Sequence, residues 1–101
     1  KVMNKIKYFR IMQGLQLKDL VIATGLSMGH LSHLENGNRQ PSKETMELIA
    51  DALGKTVPEV FYSEFTVEEA EALAAKGYAV QCNDGTISEI IEEGGKSANI
   101  L

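Results

Sequence analysis

Three observations predict a mainly α-helical protein: apolar stripes at helical spacing, serine and threonine residues placed to cap them, and glycines that end them. On this reading residues 4–62 form one five-helix domain. Residues 63–93 form an extension made of a further helix and a β-hairpin, and residues 94–101 a flexible tail.

The elements follow in order. Ile6 and Phe9 share a face with Arg10, and the Gly14-Leu15 pair ends the first helix. The second runs over about Leu17 to Thr24 and stops at Gly25, a residue suited to the positive φ of a tight turn. Ser27 is placed to cap a third helix whose inward stripe is Leu31 and Leu34, and Gly37 closes it. After the polar loop Asn38 to Pro41, Ser42 caps a fourth helix with apolar positions at Met46, Ile49, Ala50 and Leu53, ended by Gly54. Thr56 and Glu59 make a capping box for a short fifth helix carrying Val60 and Phe61.

Isolated helices under about 12–15 residues are marginal in water, so these segments must share one core. Its expected members are Ile6, Phe9, Leu15, Leu20, Leu26, Leu31, Leu34, Ile49, Leu53 and Phe61.

Beyond them, Thr66 and Glu69 form a second capping box, for a helix that Gly77 terminates. Two β-prone runs, Tyr78 to Cys82 and Thr86 to Ile91, then flank Asn83-Asp84-Gly85, a hairpin signal. A two-residue Asp84-Gly85 turn sets Cys82 opposite Ile87 and Tyr78 opposite Ile91; a three-residue turn shifts that register. A two-stranded hairpin is marginal alone in water, so the ribbon should pack on something. Tyr78, Val80, Cys82, Ile87 and Ile91 are the expected dimerisation residues. Docking of an effector protein or toxin on the extension is one alternative, and packing of the extension on its own helical domain is another.

Composition bounds the function. A chain of 101 residues, 44% hydrophobic, buries one modest core plus an appendage. No apolar run approaches the ~20 residues of a membrane span, and the start lacks the apolar segment of a signal peptide, so a cytoplasmic protein without membrane contact is expected. A single cysteine, Cys82, forms no internal disulfide, and with two histidines in no ligand-like spacing it gives no zinc pattern. No metal or other cofactor is expected. Nor is an enzyme, since Asp84, Cys82 and the histidines show no nucleophile–base spacing and there is no phosphate loop. The net charge of −4 is unevenly spread. Residues 1–61 hold eight Lys and Arg against six acids, a balance of +2, whereas residues 62–101 hold two against eight, a balance of −6. Only the first part is suited to approach a polyanion.

Two helices joined by a turn at Gly25, the second capped by Ser27, are the parts of a helix-turn-helix. Over about residues 5–61 the sequence resembles the lambda-repressor-like, or Xre/Cro, helix-turn-helix family. Carrying that resemblance are Arg10, Gly14-Leu15, Leu20, Gly25-Leu26-Ser27, Leu31, Leu34-Glu35, Gly37, Arg39, Pro41-Ser42 and Leu53-Gly54. Two positions depart from the family's habit: Leu17 stands where it usually has Gln, and Val21 where it usually has Ala.

The resemblance implies a five-helix DNA-binding domain whose third helix is the recognition helix. Met28, Gly29, Ser32 and His33 would then face base edges. Lys18, Ser27, His30, Asn36, Asn38, Arg39, Gln40 and Lys43 would face phosphates. Arg10 and Glu35 resemble the family's structural ion pair. Between Ser27 and Glu35 there is no Lys or Arg, so the commonest guanine contact is missing. Base reading would rest on Ser32 and His33 hydrogen bonds, Met28 against thymine methyls, close backbone approach at Gly29, and DNA shape. The implied function is sequence-specific regulation of transcription, in this family mostly repression. Double-stranded DNA is the expected partner and a homodimer the expected state, with half-sites about 34 Å apart or a multiple of that. The rival reading is a protein-interaction module, such as an antitoxin, with weak or lost DNA binding.

Overall fold

The computed structural model describes residues 4–83 and 86–91, with side chains through Tyr78. The elements are α1 (Ile6–Met12), α2 (Leu17–Thr24), α3 (Met28–Glu35), α4 (Lys43–Leu53), α5 (Val57–Phe61), α6 (Val67–Ala75), β1 (Ala79–Asn83) and β2 (Thr86–Ile91). The fold is mainly helical and divides into two compact units, Lys1–Ser63 and Glu64–Leu101.

Local chemistry sets the helix starts. The Ser27 hydroxyl accepts the His30 N–H at 3.1 Å, and the Ser42 hydroxyl accepts that of Thr45 at 3.2 Å. At α5 the bonding is reciprocal: Thr56 accepts the Glu59 N–H at 3.3 Å while the Glu59 carboxylate accepts the Thr56 N–H at 2.8 Å. Thr66 and Glu69 repeat the pattern at α6, at 3.1 and 2.9 Å. Each such cap stabilises its helix by about 1 kcal/mol. The start of α2 is set by the Asp19 carboxylate, which accepts the Gln16 N–H at 2.7 Å. Its end is Gly25, whose φ of 77° lets its N–H return to the Val21 carbonyl at 2.8 Å.

The core of the first unit is Ile6, Leu20, Leu31, Leu34, Ile49, Ala50, Leu53 and Val60. Each large aliphatic side chain there contributes about 1.5–3 kcal/mol by leaving water. Four residues expected in the core, Phe9, Leu15, Leu26 and Phe61, are only partly buried and pack around it. Phe9 stays at the rim because its ring has partners there: Tyr8 edge-on at 5.1 Å and the Lys55 ammonium 4.9 Å above it. On α5, Val60 takes the interior place expected of Phe61. Its side chain is fully buried, and its carbonyl accepts the Lys5 N–H at 2.7 Å, which ties α5 to the start of α1.

In the second unit, α6 ends at Lys76, where the Leu73 carbonyl accepts the N–H groups of Lys76 and Tyr78, each at 3.0 Å. The strands β1 and β2 pair antiparallel, with Asn83 opposite Thr86 and Cys82 opposite Ile87. Tyr78 does not stand opposite Ile91, as an unbroken ladder would require; Ala79 does. The cause is an irregularity between Gln81 and Cys82, which pair with Glu89 and Ile87 and so leave Ser88 as an extra residue on β2. The expected Asp84-Gly85 turn and the flexible tail at 94–101 lie outside the described residues.

Candidate nucleic-acid interface

A groove-reading helix must be held from behind and left bare in front. α2 packs on α3 and on α4, and Leu20 and Leu31 meet in the core with at most 1% of their surface exposed. Val21, the larger residue at the crossing, is partly buried against the same core. On α3 the inward residues Leu31 and Leu34 are completely buried. The other face is open: Met28, Gly29 and His33 are exposed, and His30 and Ser32 half-buried.

The far end of α3 is anchored by ions. Arg10 donates from Nε to Glu35 Oε2 at 2.5 Å and from Nη2 to Oε1 at 3.3 Å, and its Nη1 donates to the Leu15 carbonyl at 3.1 Å. Both side chains are almost fully buried, at 7% and 6% exposure. A two-pronged pair of this kind fixes direction as well as distance. The structure therefore joins the first and third helices through these two residues.

The residues expected to meet phosphate lie around this frame. Ser27 and Asn36 are the caps of α3. Ser27 already accepts the His30 N–H, which leaves its own O–H to donate. Lys18 and Lys43 stand in the first turns of α2 and α4, where unsatisfied N–H groups favour anions. Asn38, Arg39 and Gln40 are exposed on the connection between α3 and α4.

A family model described as helix-turn-helix matches residues 6–60, more than half of the chain. The chain belongs to the lambda-repressor-like helix-turn-helix family. It is also 32% identical over 80 residues to the HTH-type transcriptional regulator DdrOP3 of Deinococcus deserti. That alignment covers 78% of this chain and 62% of the relative, so the chain spans less than two thirds of that protein's length.

Against the family's usual pattern, Leu17 is partly buried against the core and offers nothing polar at the start of α2. Gln16, one residue earlier, is exposed there and serves as the cap position. Gln is not among the Ser, Thr, Asp and Asn residues that usually mark a cap, so this position carried little signal in the sequence. Sequence reading also passed over Asn4 and Gln13, two amides flanking α1. Asn4 donates to the Leu34 carbonyl at 2.7 Å and Gln13 to the Leu53 carbonyl at 2.7 Å.

Of the expected dimerisation residues, Tyr78 is half-buried, while Val80, Cys82, Ile87 and Ile91 have side chains outside the described set. Among the described residues no group of three or more His, Cys, Asp and Glu is placed to hold a metal ion. No described helix is long and apolar enough to cross a membrane.

Proposed function

We propose that this chain is a sequence-specific DNA-binding regulator of transcription that places α3 in the major groove and acts as a repressor. The observation that carries the reading is Gly29. It lies in the first turn of α3, at an ordinary helical φ, and a Cβ built there meets nothing within 4 Å. By contrast, Gly14, Gly25, Gly37, Gly54 and Gly77 all have positive φ. A helical glycine costs roughly 0.5–1 kcal/mol relative to alanine. Among the described residues no contact accounts for Gly29, whereas a DNA surface approaching the α3 backbone would.

Met28, Ser32 and His33 complete the reading surface, and Ser27, His30, Asn36, Asn38, Arg39, Gln40, Lys18 and Lys43 hold phosphates on either side. With no Lys or Arg on α3 itself, discrimination rests on polar and methyl contacts and on DNA shape. A lone unit of this size binds weakly, and a homodimer spanning two half-sites offsets that. The acidic second unit supplies the dimer contact through Tyr78, Val80, Cys82, Ile87 and Ile91. The relative's description as a transcriptional regulator supports this role, and a regulator of this kind would work in the cytoplasm beside the chromosome.

Selection of bound fragments from random-sequence duplexes tests the proposal. A recovered motif with two related half-sites is the expected result, and recovery of unrelated sequences with no common motif contradicts it.

A further inference from the structure

Asn4 is an amide with only 7% of its surface exposed, and both ends of it are used. Its Oδ1 accepts the Ile6 N–H, the first of α1, at 3.0 Å, and its Nδ2 donates to the Leu34 carbonyl at 2.7 Å, across thirty positions of sequence. Leu34 lies in the last turn of α3, directly before Glu35, which Arg10 holds. Two polar groups associated with α1 thus grip consecutive residues of α3. The buried apolar contacts of Leu31 and Leu34 resist separation of α3 from the core but are non-directional. Hydrogen bonds of fixed geometry add to that packing a directional resistance to small rotations and sliding.

From this geometry we infer that Asn4 is a positioning residue for base recognition: it touches no DNA but fixes the rotation of α3 about its axis, and so which side chains meet which base edges. The inference rests on the proposed reading of α3 as the groove helix. Gln13 provides an internal comparison. Its amide makes the same kind of bond, at the same 2.7 Å, to the last residue of α4 rather than to α3. Loss of either bond removes one side-chain tie from α1, but only Asn4 acts on the reading helix.

The test uses the full chain and two duplexes: one selected by the wild-type protein from random sequence, and a scrambled duplex of the same composition. Affinities for both are measured for wild type, Asn4→Ala and Gln13→Ala at a temperature where circular dichroism shows each to be folded. Asn4→Ser is included as well; it keeps an oxygen for the Ile6 N–H but is too short to reach Leu34, and it stands in if Asn4→Ala does not fold. The expected result is that the Asn4 variants lose at least about tenfold in the ratio of selected to scrambled affinity, with scrambled binding within about twofold of wild type, while Gln13→Ala keeps its ratio. Equal loss on both duplexes, loss of the ratio in Gln13→Ala as well, or an unchanged ratio in the Asn4 variants overturns the inference. A wild-type protein that does not discriminate between the duplexes instead overturns the reading of α3 on which it rests.

Discussion

Arg10 and Glu35, twenty-five positions apart in sequence, are joined by two hydrogen bonds that fasten the end of α3 to α1. Removing one partner leaves the other charge buried and alone, which costs about 3–5 kcal/mol. Arg10→Ala is therefore expected to lower the unfolding free energy by about that amount in urea titration. Replacing both residues with apolar ones of similar volume should cost much less. A loss below about 1 kcal/mol in the single variant would mean the pair behaves like a solvent-screened surface bridge.

Gly29→Ala should move stability and binding in opposite directions. The added methyl enters open space, so the folded state gains roughly 0.5–1 kcal/mol. Affinity for selected DNA should fall by about tenfold or more, because that methyl stands where the duplex must come. Thermal unfolding and a gel-shift titration of the same preparation decide it. A variant that is more stable and binds as well would remove the main support for groove contact at this position.

Arg39→Ala and His33→Ala should fail in different ways. Arg39 lies on the loop after α3, and its loss should weaken binding to all sequences and lower the salt slope by about one unit. His33 lies on the open face of α3, and its loss should mainly relax base preference, by about 1 kcal/mol at one position. Salt-dependent binding curves on matched and mismatched duplexes separate the two.

The Glu59 carboxylate has a lowered pKa, chiefly because it accepts the backbone N–H of Thr56 and secondarily because it accepts the Thr56 hydroxyl. A carboxylate held below its unfolded value adds stability that is fully present above that unfolded value, about pH 4.3. That stability is lost as pH falls through the lower folded value. Glu59→Gln should therefore flatten the acid side of the stability curve, read by urea titration between about pH 6 and pH 3. Thr56→Ala removes the capping hydroxyl and should cost about 1 kcal/mol at neutral pH. An acid limb unchanged by Glu59→Gln would show that this cap does not contribute to it.

Deleting the chain after Ser63 should convert a dimer to a monomer in sedimentation, if the second unit carries the dimer contact. An unchanged state would move that contact to the helical unit.

Most of the first unit was legible in the sequence because its helix boundaries are written in local chemistry. Ser27, Ser42 and Thr56 bond N–H groups three residues on, and Gly25 and Gly54 adopt positive φ where the helices end. Such signals depend on neighbours in the chain. The burial order on α5 was not legible, since Val60 and Phe61 are both apolar and the choice depends on how the helix packs against elements distant in sequence. Asn4 was missed for the same reason: its second bond reaches Leu34, and nothing in the residues around Asn4 announces it. Pairing of Cys82 with Ile87 follows from a two-residue connection, but the extra residue at Ser88 has no sequence signal such as a glycine. For the interface, the open face of α3 followed from the Leu31 and Leu34 stripe, while Gln16 at the start of α2 is of a residue type that gives no strong cap signal.

A backbone-amide NMR titration of the full chain with its selected duplex tests the central claim most directly. The account predicts that the largest shifts fall on Met28 to His33, with a second set at Lys18 and from Asn38 to Lys43. Shifts confined to residues 64–91, or equal in size with a scrambled duplex, would contradict it.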